Sequence, residues 1–141
     1  MAIIGGAGNP VGGSFTGPAE ALEVVGDHAY AYGGLFQSST TETRELSFTT
    51  GNFLFVGVFQ LNGPVDDDAP GSINKSMAKL SLNGTPICII ANGAGDSGPF
   101  DIQQNIIIPP NTEVKVDVVS DGNESDRYGS VTITGRIYRD V

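Results

Sequence analysis

Three groups of residues in this chain have the types and spacing for chemistry. Asp66-Asp67-Asp68 is the densest run of carboxylates. Three hard oxygen donors on one loop suit Ca²⁺. An EF-hand loop would need alternating ligands and a glutamate at its twelfth position, and neither is present. Adjacent aspartates also point in different directions unless the loop curls around an ion. A solvated loop, an intersubunit polar contact and a cation site therefore stay open, with the solvated loop the simplest. Cys88 is the second candidate, because a thiolate is a strong nucleophile when a base stands beside it. The single histidine, His28, is the third. A catalytic imidazole needs a nucleophile and an orienting group within reach, and the neighbouring Asp27 cannot easily face it. Cys88 lies in the apolar run Pro86-Ile87-Cys88-Ile89-Ile90, which suits a small buried hydrophobe. No G-x-S-x-G or H-E-x-x-H motif occurs, and Gly93-Ala94-Gly95-Asp96 opens no helix, so it does not match a dinucleotide fingerprint. Two carboxylates at a glycosidase spacing could arise by chance among sixteen acidic residues, but there is no Trp to form a sugar platform. No enzyme activity, no cofactor and no metal site is expected.

The elements that carry these residues read as strands. His28 to Gln37 places Tyr30 and Tyr32 on one face, and Gly33-Gly34 marks a bulge or a close backbone approach. Thr40 to Thr50 alternates imperfectly. Phe53 to Asn62, FLFVGVFQLN, is apolar on both parities and predicts a central strand covered on both faces. Gly63 to Asn74 reads as a loop. Ser76 to Asn83 and Pro86 to Ala91 flank Asn83-Gly84, a strong two-residue hairpin signal. Phe100 to Ile108 is a further strand. Thr112 to Val119 sets Val114, Val116 and Val118 inward, and Ser130 to Arg139 does the same with Val131, Ile133 and Ile137. Eight or nine strands without a convincing helix match an antiparallel β-sandwich of the jelly-roll kind, with an immunoglobulin-like sandwich as the runner-up. The runner-up lacks its usual framework, since there is one Cys and no Trp.

Residues 1–26 differ from the rest. MAIIGGAGNPVGGSFTG holds six glycines in seventeen residues and keeps no period. Alone it buries too little surface to offset its ordering entropy. It is either a loose terminus or an extended N-terminal arm that folds onto a neighbouring subunit, with Ile3, Ile4, Val11 and Phe15 as apolar beads. Pro18 to Glu23 suits one helical turn or the lead into a short strand. The expected organisation is thus an arm over 1–26 and a jelly-roll-like β-sandwich over 27–141.

The whole chain has 141 residues, 20 Gly, 8 Pro and a net charge of −9. Its seven basic residues are scattered, whereas a phosphate-tracking surface needs them clustered. Nucleic acid and anionic membranes are not expected partners. No signal segment and no apolar stretch of about 18 residues occurs, so synthesis in a cytosol is expected.

Four segments carry a resemblance. They are NPVGGSFTGPAEALEVVGDHAYAYGG at 9–34, LSFTTGNFLFVGVFQLNG at 46–63, the VDDDAPG that follows, and IIIPPNTEVKV at 106–116. Together they resemble cement or decoration proteins of tailed bacteriophages, particularly those of cyanophages. The resemblance implies a jelly-roll-like homotrimer on the outer surface of an icosahedral head, made in the host cytoplasm and bridging subunits of the major capsid protein. It implies that Ile3, Ile4, Val11 and Phe15 anchor the arm to the capsid. Tyr30, Tyr32 and Phe36 are the expected trimer contacts, with ordinary core packing as the alternative for the tyrosines. The competing functional reading is a spike, fibre or carbohydrate- or receptor-binding jelly roll of a virion.

Overall fold

Alternation of buried and exposed side chains runs along most strands and sorts them into two layers. The structure, a computed structural model, describes residues 22–66, 75–92 and 101–139. The described residues form β1 (Glu23–Val25), β2 (His28–Ser38), β3 (Thr43–Thr49), β4 (Leu54–Asp66), β5 (Ser76–Leu82), β6 (Thr85–Ala91), β7 (Asp101–Ile108), β8 (Glu113–Ser120) and β9 (Glu124–Tyr138). One sheet has the order β1-β2-β9-β4-β7 and the other β3-β8-β5-β6.

The pairing is nested. β5 pairs with β6, β4 with β7, β3 with β8 and β2 with β9, all antiparallel. The chain is one long hairpin folded at Asn83-Gly84 and rolled into two sheets, which is the jelly-roll arrangement. Asn83 and Gly84 both have positive φ, 51° and 81°, as a type I′ hairpin turn requires. β1 comes from the span assigned to the arm, and residues 18–21, read as one helical turn or the lead into a strand, lie outside the described residues.

Inward positions build the core between the sheets. Phe55, Phe59 and Leu61 of β4 meet Val131, Ile133 and Ile137 of β9 on one side of it. Leu46, Phe48, Leu80, Val114 and Val116 line the other. Each such side chain stabilises the fold by roughly 1.5–3 kcal/mol when fully buried. Beneath the Phe55 ring, Gly57 of β4 lies opposite Gly135 of β9. A Cβ on Gly135 would stand 2.3 Å from the Val56 carbonyl oxygen and 2.9 Å from the ring. Only glycine permits that approach.

Two expectations need correction. Phe36 does not share the face of Tyr30 and Tyr32. The register of β2 on β9 shifts between Tyr32 and Leu35, where Gly33-Gly34 forms a bulge. One extra residue reverses the parity. Ala29 and Ala31 point inward before the bulge and Phe36 points inward after it, at 7% exposure. Second, β4 is central but not covered on both faces. Its outward Val56 is exposed, and Leu54 and Val58 are half-buried. The apolar outward parity thus marks a surface rather than a second core. β4 also runs beyond Asn62 to Asp66 through a register shift, so part of the expected loop is strand.

Polar groups inside the sandwich are stitched together. Asn92 Oδ1 accepts from the Ser76 backbone N–H at 2.6 Å, and its Nδ2 donates to the Gly63 carbonyl at 2.6 Å. The Ser76 and Ser120 hydroxyls lie 2.6 Å apart. These bonds link β4 of one sheet to β5 and β8 of the other.

Candidate interaction surface

The candidate catalytic groups do not converge. His28 is exposed on β2, and Cys88 is half-buried on β6 of the opposite sheet. Burial pushes the Cys88 thiol up, away from the reactive thiolate. Asp27, beside His28, accepts instead from Arg136 Nη2 at 3.4 Å. Asp66 ends β4 with its backbone opposite Arg127, while Asp67 and Asp68 lie outside the described residues. Among the described residues no three His, Cys, Asp or Glu gather as a metal would need.

Charge is concentrated on one face. On the outward side of β3-β8-β5, Arg44 Nε bonds Asp117 Oδ1 at 2.9 Å, and Lys79 lies 3.6 Å from Glu42. Lys115 lies 3.4 Å from Glu113. The three cations that share this face are thus each matched by a carboxylate.

Among the described residues, the outward face of the other sheet carries one ion pair, Arg136 with Asp27, beside uncharged aromatic, aliphatic, threonine and amide side chains. Tyr30 and Tyr32 stack on the outward face of β2, ring centroids 4.8 Å apart at 36°. Tyr32 is 41% exposed. Burial, then the charge of Glu23, then Tyr32 push the Tyr30 hydroxyl pKa up, so it stays a neutral donor. These two expected contact residues come together, whereas Phe36 lies in the core. Ile3, Ile4, Val11 and Phe15 lie outside the described residues.

Several exposed apolar side chains were not singled out in the sequence, among them Leu35 of β2, 74% exposed, and three isoleucines of β6 and β7. Ile87 and Ile89 of β6 are 56% and 58% exposed, and Ile107 of β7 is 62% exposed. β6 and β7 are the edge strands of the two sheets and lie next to each other across the sandwich. Beside Ile107, the outward side chains of Val56, Val58 and Asn105 border a shallow depression of about 420 Å³. Neither Thr85–Ala91 nor residues 102–108 contain one charged residue. An apolar run in a strand reads as buried, so the signal that could have found this flank is two edge strands with Asp101, at the start of β7, as their one charge. Edges are ordinarily protected by charges.

No family model and no curated protein matches the chain. Among solved structures it is similar to a chain in the structure of infectious bursal disease virus Gx strain, with 16% identity and a TM-score of 0.34. That match covers 81% of this chain and 35% of the other. A chain of the Gt strain of the same virus matches with 18% identity and a TM-score of 0.32, over 78% of this chain and 31% of the other. The chain spans about a third of the length of those viral chains, and likeness at this level carries no functional conclusion.

Proposed function

We propose that this chain is a viral structural protein. In this reading it is a homotrimeric cement or decoration protein on the outer surface of an icosahedral phage head. It is made in the host cytoplasm, bridges subunits of the major capsid protein and stiffens the shell. The observation that carries the reading is the outward surface of the jelly roll, where the exposed isoleucines of β6 and β7 stand apart from an ion-paired face. Such a surface suits lasting protein contact rather than turnover of a small substrate. The sequence resemblance to phage cement proteins supports the same class. A net charge of −9 also suits an outer-shell position away from packaged DNA.

The mechanism is adhesion summed over copies. Each arm, through Ile3, Ile4, Val11 and Phe15, contributes a modest net affinity after its ordering cost. Three arms on one trimer act at high effective concentration, so occupancy rises steeply without new contacts. The test is a chain lacking residues 1–17. It should fold, remain trimeric and fail to occupy heads that lack the protein. Undiminished occupancy would overturn the role of the arm. Saturable glycan binding without head binding would favour the receptor-binding alternative.

A further inference from the structure

The two long flanks of the sandwich are built differently. One flank joins β2 to β3, and Asp27 and Arg44 are exposed charges there. The other joins β7 to β6, and apart from Asp101 at the start of β7 neither strand carries a charge. β6 and β7 each pair on one side alone among the described residues, so both present an open edge of backbone donors and acceptors. Natural edge strands avoid pairing with other chains by placing charges, above all Lys, on the edge. This flank lacks that protection and displays Ile87, Ile89 and Ile107 instead.

We infer that the β6–β7 flank is the surface that a second copy of this chain covers. The inference deepens the proposed trimer and rests on that reading. Charge selects the occupant. Every copy carries −9, so two copies repel wherever their charged surfaces face each other. A contact between copies must fall where charge is absent, and the flank is such a place. A foreign partner of opposite charge would be drawn to carboxylates, of which residues 85–91 and 102–108 offer none. A closed ring of three uses a head-to-tail contact, with two different patches on each chain. The Tyr30–Tyr32 pair on β2, near the opposite side of the sheet, supplies the second patch.

The experiment is sedimentation equilibrium of the full chain at micromolar concentration, with far-UV circular dichroism as a check on folding. The variants are Ile89→Asp and Ile107→Asp, each adding one negative charge to an exposed outward position. Thr43→Asp, on the charged flank, is the matched control. The wild type and the control should sediment at three times the 14.6 kDa chain mass, and the two flank variants at the chain mass. Raising salt should strengthen wild-type assembly, because it screens repulsion between the copies. If a flank variant fails to fold, the milder Ile87→Thr/Ile89→Thr pair keeps β-branched side chains and should raise the dissociation constant about tenfold or more. Trimeric flank variants would overturn the inference while leaving the trimeric cement reading in place. A monomeric wild type would overturn both.

Discussion

Glu45 gives the structure a measurable pH dependence. β3 shifts register between Arg44 and Leu46, and the irregularity turns both Glu45 and Leu46 inward. Glu45 is 5% exposed. Facing it, the β2 bulge presents Gly33, where a Cβ would lie 3.0 Å from the Glu45 carbonyl oxygen and 3.4 Å from its Cβ. Burial pushes the Glu45 carboxyl up to about 7 from its ordinary 4.5. The neighbouring Arg44 guanidinium does not relieve it, being engaged with Asp117 on the outward face. Between those two pH values the folded chain keeps a proton that the unfolded chain has released. The folded state binds more protons, so stability falls as pH rises. The contribution is complete below about 4.5 and lost above about 7. At about 1.4 kcal/mol per pH unit the window is worth about 3 kcal/mol. Urea unfolding followed by far-UV circular dichroism, at fixed protein concentration, measures it at pH 4.5 and pH 8. Glu45→Gln cannot ionise and should gain about 3 kcal/mol relative to the wild type between those pH values. Repulsion among the other carboxylates acts on both proteins and cancels in the difference. Parallel pH profiles for the two would refute the assignment of a buried, neutral Glu45.

Three further outcomes follow from the packing. Gly135→Ala drives a Cβ into the Val56 carbonyl and the Phe55 ring, and should cost at least about 1–3 kcal/mol in urea unfolding. Asn92→Ala strands the Ser76 N–H and the Gly63 carbonyl, and at about 1–3 kcal/mol for each buried unpaired group it should lower the urea midpoint clearly. EDTA should leave the Tm unchanged if Asp66, Asp67 and Asp68 form a solvated loop, because a native-state cation would raise the Tm by mass action.

Strand positions were legible where one face is buried and one is not. Val114, Val116 and Val118, and Val131, Ile133 and Ile137, lie inward as their alternation predicts. Asn83-Gly84 marks its turn because few dipeptides accept two positive φ angles. Bulges broke the reading. Gly33-Gly34 announced one, but its effect on Phe36 depends on a single residue of register. The bulge near Glu45 carries no glycine signal at all. The outward parity of β4 misled because a strand's apolar faces do not reveal what lies above them. The candidate surface was legible in part. Tyr30 and Tyr32 were found through their shared parity. Ile87, Ile89 and Ile107 were not, because the order of strands in a sheet is non-local and decides which strands become edges.

The central claim is that the protein strengthens a viral shell by binding its outside. Thermal release of DNA from heads, with and without saturating full-length chain, tests it most directly. The account predicts that heads prepared without the protein bind it to saturation and release their DNA at a higher temperature once covered. Saturated heads that release DNA at the same temperature as bare ones would contradict it.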